Sequence, residues 1–213
     1  VIICLDRAGI VGDDGPTHHG VFDIALLRAV PNLIFAQPRD EAELANLLFS
    51  ALKWRKPVAI SYPRGSGPGT RVPEVFTELA VGKAEVVRDG KEIQIWALGD
   101  MVPLAERAAG IIAGQGLSAG VVNARFIRPL DEELLAKHSA SAQTVATIEN
   151  GVVEGGFGSA VGSFLAQKHF GGSFLTFGWP DEFLPHGSHD ELTKRFNLTA
   201  EAVAAAVLKE FVA

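Results

Sequence analysis

Val1-Ile2-Ile3-Cys4-Leu5-Asp6-Arg7-Ala8-Gly9-Ile10-Val11-Gly12-Asp13-Asp14-Gly15-Pro16-Thr17-His18-His19-Gly20 opens the chain, and its two parts read differently. Val1–Leu5 is a short, unbroken apolar run, the pattern of a strand buried on both faces. Cys4, the sole cysteine, is read with it as a small buried hydrophobe. The polar remainder holds four glycines, three aspartates, two histidines and an arginine directly after a strand. In open parallel α/β sheets, ligands gather beyond the carboxyl ends of strands. The first twenty residues therefore indicate both a fold class and a place for chemistry.

Working outward, the same rhythm repeats. A short helix is expected around residues 22–29, and a strand over Leu33–Ala36. Asp40 and Glu43 have capping-box spacing at the start of a helix whose apolar face is Leu44, Leu47, Leu48, Ala51 and Leu52. A third strand, Val58–Tyr62, ends at Pro63. Strands joined through helices imply parallel β-α-β units. Three strands bury only a modest core, so this segment is expected to lean on another domain, a second copy or a further piece of chain.

Gly65, Gly67, Pro68, Gly69 and Pro73 interrupt the pattern. The organisation expected is residues 1–66, a linker over 67–82, and a second α/β domain over 83–213. Within the latter, Ala84–Arg88 and Ile93–Leu98 flank Asp89-Gly90, a hairpin signal. A helix with Pro103 in its first turn follows. Further strands are expected at Ala119–Asn123, Thr144–Glu149 and Phe174–Phe177, and helices at Asp131–Lys137, Ser159–Lys168 and Glu201–Phe211.

Length and composition fit a soluble globular protein of one or two domains: 213 residues, 47% apolar and 21% charged. The net charge of −6 argues against nucleic acid or an anionic membrane as partner. Residues 1–70 carry seven acidic and seven basic side chains, so the negative excess lies entirely in the remainder. One cysteine excludes an intrachain disulfide. No apolar stretch reaches the ~20 residues that span a bilayer. The chain opens without methionine inside an apolar run and without a basic leader, so a longer natural chain in the cytoplasm is the expectation.

Four constellations could carry chemistry. In the loop over residues 6–20, Arg7 can grip an anion and His18 or His19 can move a proton. Adjacent histidines converge poorly on one ion, so no metal site is assigned, and Asp13 reads as a loop residue. Ser61-Tyr62-Pro63-Arg64-Gly65 ends a parallel strand on the same sheet edge, so Arg7 and Arg64 could share one anion. In the segment Glu149–Ser159, the glycines lack the Gly-x-Gly-x-x-Gly order and read as packing for a helix start. Pro185-His186-Gly187-Ser188-His189-Asp190 precedes a short helix that Ser188 or Asp190 could cap, and it offers no Ser-His-Asp triad.

These residues resemble a family. Asp13-Asp14-Gly15-Pro16-Thr17-His18 is similar to a segment of transketolase-like thiamine-diphosphate enzymes. Six other segments narrow the resemblance to the 1-deoxy-D-xylulose-5-phosphate synthase family. They are Leu5–Gly9, Pro31-Asn32-Leu33, Tyr62–Gly65, Asn123–Asp131, Gly155–Ser159 and His186-Gly187-Ser188, in family order across essentially the whole chain. The resemblance implies the latter part of a pyrimidine-binding domain, then a transketolase C-terminal-like α/β domain with a mostly parallel sheet. It also implies a transferase that decarboxylates pyruvate and joins it to glyceraldehyde 3-phosphate, feeding isoprenoid, thiamine and pyridoxal biosynthesis. Arg7 and Arg64 match positions that hold the acceptor phosphate. Asp14 and His18 match positions that contact the donor-derived intermediate and acceptor hydroxyls, with His18 as proton shuttle, and His19 has a weaker claim. The family suggests a homodimer.

The departures bear on activity. The family holds the diphosphate and Mg²⁺ through a G-D-G…N motif that does not occur here. Its aminopyrimidine-activating glutamate and the aromatic pocket for that ring lie upstream of the position matching Val1. The expectation is that this chain alone is inactive. Two alternatives stand beside it: the β subunit of a heteromeric thiamine-diphosphate enzyme (a 2-oxo-acid dehydrogenase or split transketolase), and a non-catalytic dimerisation module.

Overall fold

The computed structural model describes residues 1–212, leaving aside the side chains of Asp13 and Val212; the reading of Asp13 as a loop residue therefore falls, for its side chain, outside the described residues. The front of the chain runs β1 (Ile2–Leu5), α1 (Asp23–Arg28), β2 (Ile34–Ala36), α2 (Glu41–Ala51) and β3 (Val58–Ser61). The remainder runs β4 (Glu85–Arg88), β5 (Ile93–Ala97), α3 (Val102–Ala113), β6 (Ala119–Asn123), β7 (Phe126–Arg128), α4 (Glu132–Ser139), β8 (Thr144–Val152), α5 (Phe157–Gln167), β9 (Ser173–Trp179), α6 (His189–Arg195) and α7 (Ala200–Val212).

Two sheets result. One has the order β1-β3-β2-β7, the other β4-β6-β5-β8-β9. β1, β3 and β2 are parallel, with Leu5 opposite Ser61 and Ala36 opposite Ile60. The fourth member is antiparallel and comes from the second half of the chain: Phe126 of β7 lies opposite Ala36. Sequence pattern alone does not reveal β7. Three residues carry no periodicity, and its pairing partner is about ninety positions upstream.

The expected hairpin around Asp89-Gly90 does not form. β4 pairs antiparallel with β6, and β6 lies between β4 and β5. Parallel pairing of β5 with both β6 and β8 takes the two flanks that a hairpin partner would need. The picture of β1 as a strand buried on both faces is also corrected. β1 is an edge strand paired only to β3; Ile3 is 41% exposed and Cys4 is exposed rather than buried. An edge strand lacks a neighbour to cover its outer half, which the apolar letters cannot signal.

Three clusters of buried apolar side chains hold the layers together. One packs α3 and α7 on the second sheet through Ile95, Ala108, Ile112, Val203 and Val207. Another packs α2 on the first sheet through Leu47, Ala51, Val58 and Ile60. Leu48 of α2 and Leu52 just beyond it are exposed, so the stripe buries Leu47 and Ala51 fully and Leu44 in part. The third cluster crosses between the halves: Leu33, Phe35 and Ala59 meet Trp96, Leu98, Val122 and Phe157. The front segment thus leans on the second domain, as its small core requires.

A polar clamp closes the same seam. Asp40 caps α2 by accepting from Glu43 N at 2.8 Å, while the Glu43 carboxylate reaches back to the residue before the cap. It accepts from Arg39 N at 2.8 Å, Asn123 Nδ2 at 2.9 Å and Arg125 Nε at 2.6 Å. Arg125 also donates to the Lys83 carbonyl and, at 2.9 Å, to Glu85. It adopts a left-handed backbone at φ 58° to do so, a conformation that costs a non-glycine residue on the order of 1–2 kcal/mol. Breaking one side of such a buried pair strands the other charge. Arg125→Met should therefore lose about 3–5 kcal/mol in urea unfolding, and Glu43→Leu with Arg125→Met should recover most of that loss. A double variant no more stable than Arg125→Met would show that the pair is not the clamp.

Candidate functional site

The site grows from the pairing of β1 with β3. Because Leu5 and Ser61 are in register, the chain leaves both strands at one edge, placing Arg7 and Arg64 two and three residues beyond that pair. Tyr62 N donates to Leu5 O and Ala8 N to Tyr62 O, both at 3.0 Å, so the pairing continues into the loops. Arg7 has φ 68°. An arginine in glycine's conformational territory is a local strain of the kind that gathers at functional positions. Its Nε is buried without a hydrogen-bond partner among the described residues, while Nη1 reaches Asp6 at 3.2 Å. That orphaned donor suits an arriving anion.

After Arg7 the chain makes a loop with a closed neck. Gly20 N donates to Gly9 O at 2.8 Å, and Gly9 N to Gly20 O at 3.4 Å. A side chain at Gly20 would collide with the Arg7 carbonyl, so the neck depends on glycine. Within the loop, residues Gly12–Asp14 form a 3-10 turn, and Asp14 makes an ion pair with Arg64 Nη1. His18 is exposed; its Nδ1 meets Thr17 Oγ1 at 3.1 Å. His19 serves the architecture instead. Val11 N donates to its Nδ1 at 3.0 Å, which leaves the proton on Nε2, facing the Pro185 carbonyl at 3.4 Å.

The second domain supplies a wall. Gly187 O lies against Gly12, and His186 against Gly15. Ser188 caps α6, completing a capping box with Glu191. The described contacts therefore bring Arg64 and Asp14 together and set Arg7 on the neighbouring strand end. His18 stands at the exposed side of the same loop and, among the described residues, makes no hydrogen bond to either arginine. A cavity of about 220 Å³ opens beside Arg64, walled by Arg39, Tyr62, Ser66 and Asp100 among others.

Sequence reasoning passed over Asp100, Asn150 and Gln37, which meet beneath this edge. Asn150 Nδ2 donates to Asp100 at 2.6 Å, and Gln37 Nε2 donates to Asn150 Oδ1 at 2.9 Å. Burial pushes the Asp100 carboxyl up to about 6, against the opposing pull of the Asn150 hydrogen bond. The signal in the sequence is a polar pair, Glu149-Asn150, inside the otherwise mostly apolar run of β8.

The glycine-rich segment after β8 is a packing device, as its spacing indicated. Gly158 lies tightly against Thr147 and Thr176, and the buried Glu149 carboxylate accepts from Phe157 N and Gly158 N at 2.8 and 2.7 Å. No three His, Cys, Asp or Glu side chains converge on a possible ion among the described residues.

Residues 1–70 match the family model for the transketolase pyrimidine-binding domain and residues 82–203 that for the transketolase C-terminal domain. The chain belongs to the transketolase family. It is 46% identical to 1-deoxy-D-xylulose-5-phosphate synthase of Pelotomaculum thermopropionicum over 99% of this chain and 33% of that one. It is 44% identical to the synthase of Heliobacterium modesticaldum over 96% and 32%. Among solved structures it is similar to a split-gene transketolase described as an inactive β4 tetramer, with a TM-score of 0.88, 31% identity, and coverage of 100% of this chain and 67% of that one. The chain spans about a third of the length of the synthases it matches.

Glu149 yields a pH prediction. Burial raises its carboxyl from 4.5 to about 7, with the two backbone N–H groups and Arg28 pulling the other way. The folded chain holds that proton more tightly than the unfolded one. This group's stabilising effect is therefore full below about pH 4.5 and fades as pH rises through 7. Wild type should lose stability relative to Glu149→Gln between pH 5 and pH 8, by on the order of 2–3 kcal/mol in paired denaturation curves. A constant difference between the two curves would contradict the burial account.

Proposed function

We propose that this chain is the acceptor-binding part of a 1-deoxy-D-xylulose-5-phosphate synthase, in which pyruvate loses CO₂ and its remaining two-carbon unit is joined to glyceraldehyde 3-phosphate. The observation that carries the reading is the edge shared by Arg7 and Arg64, where Arg7 Nε has no partner among the described residues and Arg64 is paired with Asp14. Two guanidinium groups on one strand edge suit a phosphate monoester, which planar donor forks bind well. The similarity to synthases from two bacteria supports the same choice.

The chain's own residues then have distinct tasks. An arriving phosphate draws Arg64 from Asp14, and Arg7 Nε gains its acceptor. Asp14, released from the ion pair, accepts a hydrogen bond from a hydroxyl of the bound aldehyde. His18, whose Nδ1 meets Thr17, carries a proton at the rim of the site. Thiamine diphosphate and Mg²⁺ belong to the parent enzyme in this reading. The G-D-G…N segment by which the family holds that group does not occur in this chain. A homodimer of the parent enzyme in the cytoplasm completes the reading.

A second reading has its own observation. The split-gene transketolase is similar over the whole of this chain and is described as an inactive β4 tetramer. By that likeness, this chain would be one partner of a split enzyme, self-associating and inactive until its other half binds.

Both readings are tested by incubating the purified chain with thiamine diphosphate, Mg²⁺, pyruvate and glyceraldehyde 3-phosphate, beside a full-length relative. No 1-deoxy-D-xylulose 5-phosphate should form with the chain alone, while the relative turns over. Product from the chain alone would mean that the cofactor is held by residues assigned here to structure.

A further inference from the structure

The neck of the site loop rests on the last turn of a strand from the other domain. Gly9 lies so close to Asn150 that an added Cβ would come within 3.1 Å of Asn150 Cβ and 3.2 Å of its carbonyl oxygen. Two residues on, Val152 N donates to Val21 O at 2.8 Å, so β8 supports both sides of the neck. Gly9 and Gly20 are bonded to each other across it. Arg7 immediately precedes this neck, and the loop it closes carries Asp14 and His18. Whatever fixes Asn150 therefore fixes where the anion-binding loop begins.

Asn150 is fixed from two sides. Gln37, 1% exposed at the end of β2, donates to its side-chain oxygen, while Asp100 accepts from its side-chain nitrogen. Gln37 belongs to the sheet that carries the two arginines, whereas Asp100 and Asn150 belong to the second domain. Gly99, at φ 52°, brings its backbone against Gln37 and Pro38, which sets Asp100 close to the end of β2. Asp100 also lines the cavity beside Arg64. The three side chains thus form a polar bridge linking the floor under the Arg7 loop to the wall of the Arg64 cavity. A buried side-chain amide with both ends satisfied has one preferred orientation, which suits a positioning role.

We infer that Asn150 is a positioning residue for the anion site: clamped between Gln37 and Asp100, it holds the Gly9–Gly20 neck so that Arg7 meets the same phosphate as Arg64. The inference rests on the proposed acceptor site for its function, though not for its geometry. Asn150 acts through its contacts with Gln37, Asp100 and Gly9 rather than on the ligand itself.

The test combines a ligand-free readout with a binding one, using the whole chain at pH 8. Amide hydrogen exchange at Gly20, whose N–H bonds to Gly9, reports the neck directly. Calorimetric titration with glyceraldehyde 3-phosphate reports the anion site. Asn150→Ala should speed Gly20 exchange and weaken binding roughly tenfold or more, the scale of one mis-set hydrogen bond to a charged group. Asp100→Ala should act alike. Asp100→Asn, which can still present an oxygen to Asn150, should stay near wild type. Ile112→Val, a mild truncation in the core under α3, should lower the melting temperature without moving either readout. Unchanged exchange in Asn150→Ala, or unchanged binding where wild type binds, overturns the inference. If wild type itself shows no binding, the acceptor reading fails, and the Gly20 exchange result alone decides whether Asn150 holds the neck.

Discussion

The carboxylate of Glu43 takes hydrogen bonds from Arg39, Asn123 and Arg125 at the point where the two α/β layers meet. Around that carboxylate the chain solves the problem of its small front sheet. Asn123 ends β6, Arg125 turns the backbone through a left-handed conformation, and β7 then runs alongside β2. A second-domain strand thereby finishes a first-domain sheet. The apolar contact of Phe35 and Ala59 with Trp96 and Phe157 covers the remaining face. The isolated front segment would expose that face and lose its fourth strand, so the two halves are one structural unit in energetic terms.

The anion-binding edge inherits its geometry from this unit. Parallel pairing of β1 with β3 decides that Arg7 and Arg64 leave the sheet together. It does not by itself decide how the excursion from Ala8 to Gly20 is held. The second domain does that, through Asn150 and Val152 below the neck and through His186 and Gly187 beside the loop. A site made of loops from one domain resting on strand ends of another is rigid only as far as the seam is rigid. That links the Glu43–Arg125 clamp, remote in sequence, to the chemistry of the edge.

Much of this was legible in the letters. Apolar runs located β2, β3, β5, β6, β8 and β9, and capping residues located the starts of α2 and α6. The loop over residues 6–20 stood out because polar and glycine residues crowd the end of a strand, and the parallel-sheet rule placed Arg64 on the same edge. Other features depended on partners far away in sequence. β7 is three residues long and exists only because β2 has a free edge. The hairpin signal at Asp89-Gly90 described a local option that β6 displaced. Cys4 looked buried because its neighbours are apolar, yet an edge strand leaves it exposed. Asn150 resembles any turn residue until Gln37 and Asp100 are seen on either side of it.

The account's central claim is that two arginines on one sheet edge select a phosphate. Calorimetric titration of the chain with glyceraldehyde 3-phosphate and with unphosphorylated glyceraldehyde tests it, repeated on Arg7→Ala and Arg64→Ala. The account predicts binding of the phosphorylated aldehyde that falls at least tenfold when either arginine or the phosphate is removed, the loss expected for a charge-assisted contact. Equal affinity for both aldehydes, or binding untouched by both substitutions, would contradict it.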